Sequence, residues 1–210
     1  MIGWFKRRIQ ARAERKQIDG LIDRLHVAPE DRDVATIFPI ILPGELIRDD
    51  WPGPIIALEE VPFALSWAEI AEPGRWVYVD HELARYWEDK AIDWRRAAFA
   101  NLRRVSNPGA NGEKCNDDGQ PFVKVMFQPD AFGPSRLLIP RLLESELGAD
   151  YRVALPERTC AVAFKRELTP MQEQDVQGIV DGCFRNGAEP MSPQRFVASD
   201  FWHLATENGW

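Results

Sequence analysis

A chain of 210 residues with 45% hydrophobic residues has material for a full core, and its formal net charge of −7 makes it a poor general ligand for nucleic acid, whose affinity comes from clustered Lys and Arg. Its three cysteines, Cys115, Cys160 and Cys183, form no CxxC and are odd in number, which argues against a disulfide framework and for a reducing, cytoplasmic compartment. The longest apolar run, Ile37 to Leu42, is interrupted by Pro39 and falls short of the about 18 residues of a membrane span, and no apolar signal segment follows Met1.

Charge is uneven along the chain. Residues 1–26 hold seven Lys or Arg against three acids, a net +4 that leaves −11 for the remainder. Trp4, Phe5 and Ile9 make one apolar patch, and Ile18, Leu21, Ile22 and Leu25 repeat at helical spacing, so a basic amphipathic helix is predicted over 1–26. Such a helix either docks on the chain's own acidic body or makes weak contact with a membrane surface or an acidic partner. Residues 27–35 read as a polar linker, and 36–210 as a single α+β domain.

Thr36 to Asp50 predicts a short strand or an irregular packed segment, the Trp51-Pro52-Gly53-Pro54 turn comes next, and Ile55 to Leu58 forms a second strand. Pro62 to Ile70 fits strand or helix. Arg75 to Val79 alternates as a strand, and Asp80 is placed to cap a helix carrying Leu83 and Trp87. A second helix begins near Asp93, its apolar stripe running through Trp94, Ala97, Ala98, Asn101, Leu102 and Val105. Asn101 stands out on that stripe. An amide there pins a neighbouring loop or faces a ligand, because an unpartnered one costs roughly 1–3 kcal/mol.

Asn107 to Pro121 reads as a turn-rich loop without core residues, and its acids lack the spacing of a calcium site. Phe122 to Phe127 is a predicted strand. Ser135, after Gly133-Pro134, is expected to cap an amphipathic helix through Leu138, Leu142, Leu143 and Leu147, with Pro140 as a kink or first-turn residue and Gly148 as the stop. Tyr151–Leu155 and Cys160–Phe164 predict an antiparallel hairpin joined by Pro156-Glu157-Arg158-Thr159. Thr169-Pro170-Met171-Gln172 spells a capping box, ahead of a stripe of Val176, Ile179, Val180, Cys183 and Phe184 that ends at Asn186-Gly187. On this pattern Cys160 and Cys183 are buried apolar side chains. Phe196-Val197 reads as a last edge strand, with Phe201, Trp202 and Trp210 available to cover core. Strands and helices do not alternate regularly, so the expected fold is α+β, a mainly antiparallel or mixed sheet packed against amphipathic helices.

The run from Trp76-Val77-Tyr78-Val79 to Asn101-Leu102-Arg103-Arg104, then Pro134-Ser135-Arg136-Leu137-Leu138-x-Pro140 and Ala154-Leu155-Pro156-Glu157-Arg158, resembles the YtpQ-like bacterial family of unknown function over roughly residues 55–200. The resemblance implies a fold and no reaction. The basic N-terminal segment lies outside it.

Candidate ligand-binding residues are Ser135, Arg136, Arg158, Asn101 and Glu157. Guanidinium groups at element junctions suit carboxylate or phosphate, and a helix start at Ser135 would add a weak anion site. The alternative is that Arg158 pairs with Glu144, Glu146 or Asp130 and merely fixes the hairpin. No Walker loop, GxGxxG, HExxH or GxSxG occurs, and His26, His81 and His203 lie in no nucleophilic motif, so no catalytic residue, metal or cofactor is assigned. An interaction or accessory protein that binds another protein is the leading expectation, ahead of an anion- or small-molecule-binding domain and of an enzyme with an unrecognised site.

Overall fold

Antiparallel pairing organises the chain, as its short strands and tight turns require. The computed structural model describes residues 29–207 except 49, 73–74, 108–111 and 128–129, together with residue 209. The basic helix expected over 1–26 and the terminal Trp210 lie outside the described residues. The chain divides into two units at residues 33 and 34. In the first, Pro29–Asp31 is one turn of 3-10 helix. The second unit carries both sheets.

The first sheet is built on one long central strand. β1 (Ile37–Pro43) pairs along one edge of β3 (Phe63–Glu72), while β2 (Ile55–Leu58) and β4 (Arg75–Tyr78) pair in succession along the other. The ambiguous Pro62–Ile70 stretch is therefore strand. Leu65 and Trp67 on one side and Ala64, Ser66 and Ala68 on the other are all buried, and burial of both faces hides the alternation that marks a half-exposed strand. Pro39 is tolerated because β1 is an edge. Gly53 packs its backbone against the exit from β4, where an added Cβ would lie 1.8 Å from the Val79 carbonyl oxygen.

Two helices cover this sheet. In α1 (His81–Asp89) the Asp80 carboxylate accepts from the Leu83 N–H at 2.7 Å, and in α2 (Trp94–Val105) Asp93 accepts from the Arg96 N–H. Trp94 of α2 meets both Trp67 of β3, edge-on at 5.1 Å, and Trp87 of α1 at 5.8 Å. All three indoles are fully buried. Truncating any one would cost roughly 3–5 kcal/mol.

The second sheet runs β5 (Gly112–Cys115), β6 (Pro121–Phe127), β8 (Cys160–Phe164), β7 (Arg152–Glu157), β9 (Pro190–Val197), antiparallel throughout. β5 corrects the expectation of a loop at 107–121. Its four exposed residues have no apolar alternation, and the Asn116–Gln120 turn, with Gly119 at φ +75°, brings them back onto β6. One face of this sheet, with Met126, Val153, Leu155, Ala161 and Ala163, joins the main core. The other, with Val123, Ala154, Cys160, Val162 and Phe164, packs under Val176 and Val180 of α4 (Pro170–Asn186). That helix opens on the expected capping box, Thr169 and Gln172 exchanging side-chain to backbone bonds.

The long helix expected from Ser135 to Leu147 does not form. Pro134–Leu138 is a 3-10 turn and α3 is a single turn, Glu144–Leu147. Pro140 has no N–H to donate and its ring opposes continuation, and Arg141 beyond it takes φ +60°. Gly148, at φ +91°, does stop the helix. The short α5 (His203–Glu207) ends the described fold, with Phe201 buried just before it.

Candidate functional site

Three of the five candidate residues serve the architecture. Asn101 donates both amide hydrogens to main-chain carbonyls, Val34 O at 2.9 Å and Ile37 O at 3.0 Å, so it pins the entry to β1 and has no donor left for a ligand. Arg136 is 1% exposed. Its Nη1 and Nη2 grip both oxygens of Asp130, and Nη2 also reaches the Val105 carbonyl. Ser135 is buried inside the 3-10 turn and caps nothing, because Pro134 already occupies the first position. The expected anion pocket of Ser135, Arg136 and Arg158 is thus not assembled: Arg136 is enclosed and neutralised by Asp130.

Arg158 and Glu157 stand elsewhere, at the β7–β8 turn, and both line an open cavity of about 650 Å³. One wall is the sheet, with Val125 and Phe127 of β6 and Thr159 and Cys160 at the turn. The opposite wall is the last turn of α4, Gly182, Cys183 and Asn186, and the segment Gly187 to Glu189 that leaves it. Trp76 of β4 closes one side. Gly182 creates part of the space, since a Cβ there would meet nothing within 4 Å. Gly187 has the opposite role: a Cβ would fall 2.2 Å from Glu157 Cγ, so only glycine lets the chain pass so close. Phe127 is 69% exposed and presents an uncovered aromatic ring beside this opening.

The charges here are already committed. Arg158 pairs with Glu189, donates from Nη2 to the Tyr78 hydroxyl at 2.7 Å, and lies over the Trp76 ring. Its partner is Glu189, not the Glu144, Glu146 or Asp130 expected from sequence. Burial pushes the Tyr78 phenol up, against the opposing pull of Arg158, which keeps the hydroxyl neutral as an acceptor. Glu157 closes the turn by accepting from the Thr159 N–H and hydroxyl. Arg158 also donates its backbone N–H to Glu189 O, so turn and exit segment are tied twice. With Glu157 and Glu189 against one guanidinium, the lining carries one excess negative charge.

Two features escaped sequence reasoning. Lys124, midway along β6, is 1% exposed and bonds Glu146 of α3 and Glu113 of β5. Glu113 is its cross-strand partner, a pairing visible only once β5 is recognised. Desolvation alone would push the Lys124 ammonium down, but the two carboxylates outweigh it and hold its pKa above the usual lysine range. The second feature is the contact of Cys160 and Cys183, whose sulfurs are 3.6 Å apart in the cavity wall.

Among the described residues no helix is long and apolar enough to cross a membrane, and no cluster of three metal-ligating side chains occurs. No family model, curated protein or solved structure matches the chain.

Proposed function

We propose that the chain is a non-catalytic interaction or accessory protein of the bacterial cytoplasm, and that the cavity under the end of α4 receives an apolar side chain of a partner protein. The observation that carries this reading is the open, largely apolar cavity with the exposed Phe127 ring beside it. Interface anchors are aromatic and aliphatic groups seated in such hollows. The excess of carboxylate over guanidinium favours a neutral or basic group next to the inserted side chain and gives an anion little to gain. The resemblance to the YtpQ-like family, carried by Trp76–Val79, Asn101-Leu102 and the Pro134-Ser135-Arg136 and Pro156-Glu157-Arg158 runs, belongs to the same proposal and adds no reaction.

The volume also lies within the about 300–1,000 Å³ typical of small-molecule pockets, which favours a neutral or cationic small ligand as the second reading. The test compares the wild-type protein with Gly182→Leu, which fills the cavity, and Phe127→Glu, which charges its surround. Affinity capture from cell extract should yield a partner that both variants lose while remaining folded by circular dichroism. Capture that survives both substitutions, or no capture at all, removes the partner reading. Neutral fragments that bind the wild type by ligand-observed NMR, but not Gly182→Leu, would then establish the second.

A further inference from the structure

We propose that Cys160 and Cys183 form a thiol–disulfide modification site in the wall of the cavity, converted to an intramolecular disulfide by exchange with a low-molecular-weight disulfide. The inference rests on the two thiols and does not depend on the partner reading above.

The residues come from different elements, β8 and the last turn of α4, and are 23 positions apart, yet their sulfurs are in contact at 3.6 Å. A disulfide needs a separation of about 2.05 Å, so an approach of about 1.5 Å closes the bond. Gly182, beside Cys183, has open space where a side chain would be, which leaves the last turn room to settle toward the sheet.

The two thiols are unequal in the way that exchange requires. Cys183 is partly exposed and Cys160 is buried beneath it, both in the cavity lining. Burial pushes the Cys160 thiol up, and the neighbouring Cys183 adds to this. Cys183 is therefore the group that meets the reagent. As the thiolate, it attacks one sulfur of the small disulfide; that S–S bond breaks, and the departing thiolate takes up a proton equivalent to the one Cys183 released. Cys160 then gives up its proton and attacks the Cys183 sulfur, and the second small thiolate leaves and is protonated. Two protein thiols are oxidised and one small disulfide is reduced to two thiols, with nothing else consumed. The bond would tie the end of α4 to β8 across the cavity wall. In a reducing compartment such a bond is transient and follows the thiol–disulfide poise.

The test uses the whole chain with Cys115→Ser, because Cys115 is exposed on β5 and would take up the reagent separately. The protein is equilibrated with oxidised and reduced glutathione at a series of ratios, quenched in acid, alkylated in denaturant, and read by intact mass and peptide mapping. The expected product has lost two hydrogens, links the Cys160 and Cys183 peptides, and reverts with excess reduced glutathione. Cys160→Ser in the same background should instead accumulate one glutathione on Cys183, because nothing displaces it. Full alkylation of both thiols after oxidation overturns the proposal. So does a stable glutathione adduct on Cys183 while Cys160 is present. If Cys160→Ser does not fold, the peptide map of the protein that retains Cys160 decides alone.

Discussion

The two faces of the five-stranded sheet are finished differently. The face toward the main core buries charge as well as hydrocarbon, and each charge has its counterpart within reach: Lys124 with Glu146 and Glu113. Arg136, enclosed in the same core, has Asp130. The face toward α4 buries the Glu157 carboxylate, which hydrogen-bonds within its own turn to Thr159, and it is left incomplete, with a cavity where the helix passes over Cys160. The two arginines singled out at the sequence level fall one on each side of this divide. A buried, chelated guanidinium is architecture. A guanidinium at the rim of an open hollow, held by the exposed Glu189 and the Tyr78 hydroxyl, is part of the lining that an occupant would meet.

The largest effect should come from testing that difference directly. Arg136→Ala leaves Asp130 without its partner and a void in the core, and should cost about 3–5 kcal/mol in denaturant unfolding. Arg158→Ala should cost about 1 kcal/mol, because its partner Glu189 is more than half exposed and water can replace the lost contact. Equal losses at the two positions would erase the distinction between the sides.

That distinction also marks where the sequence was legible. Features fixed by near neighbours were readable: the Asp80 cap, the Thr169–Gln172 box, the stop at Gly148, the Tyr151–Phe164 hairpin and, from these, an α+β fold with antiparallel pairing. Pro140 announced a disturbance, but whether it kinked or ended the helix depended on the packing around it. β5 was hidden because an exposed edge strand needs no apolar alternation; cross-strand hydrogen bonds define it, and those come from β6. Of the site, Glu157 and Arg158 were identified and do line the cavity, whereas Cys183, Gly182 and Trp76 join them only through tertiary packing between elements distant in sequence. Arg136 looked available for lack of any local sign that Asp130, six residues before, would enclose it.

Lys124 offers a second, smaller test of the core side. Replacing both carboxylates, Glu113→Gln with Glu146→Gln, strands a buried ammonium and should cost about 3 kcal/mol. Lys124→Met should stay within about 1 kcal/mol of the wild type, since the two glutamates are part-exposed and can turn to water. The pH dependence has a definite sign. The folded-state pKa of Lys124 is raised, so its stabilising contribution is complete below the unfolded value of about 10.4 and is lost as pH rises through the folded value. Unfolding at alkaline pH should therefore show a decline in stability that Lys124→Met lacks. A decline of the same size in both proteins would remove Lys124 from the account.

The smallest effects separate the cavity side from mere helix surface. Gly178 and Gly182 lie one turn apart on α4, and an added Cβ meets nothing at either position. Gly178 is exposed to solvent, whereas Gly182 lines the cavity. Replacing a helical glycine with a good helix former removes a penalty of about 1 kcal/mol, so Gly178→Ala and Gly182→Leu should each raise stability by about that amount. Stability alone will not distinguish them, which makes the pair informative. If the cavity is where the molecule binds, Gly182→Leu abolishes capture of the partner and slows reagent access to Cys183, while Gly178→Ala changes neither. A Gly182→Leu protein that is stabilised and still binds as the wild type does would mean that the opening beside Phe127 is only a packing defect, and the binding surface would have to be sought on another face.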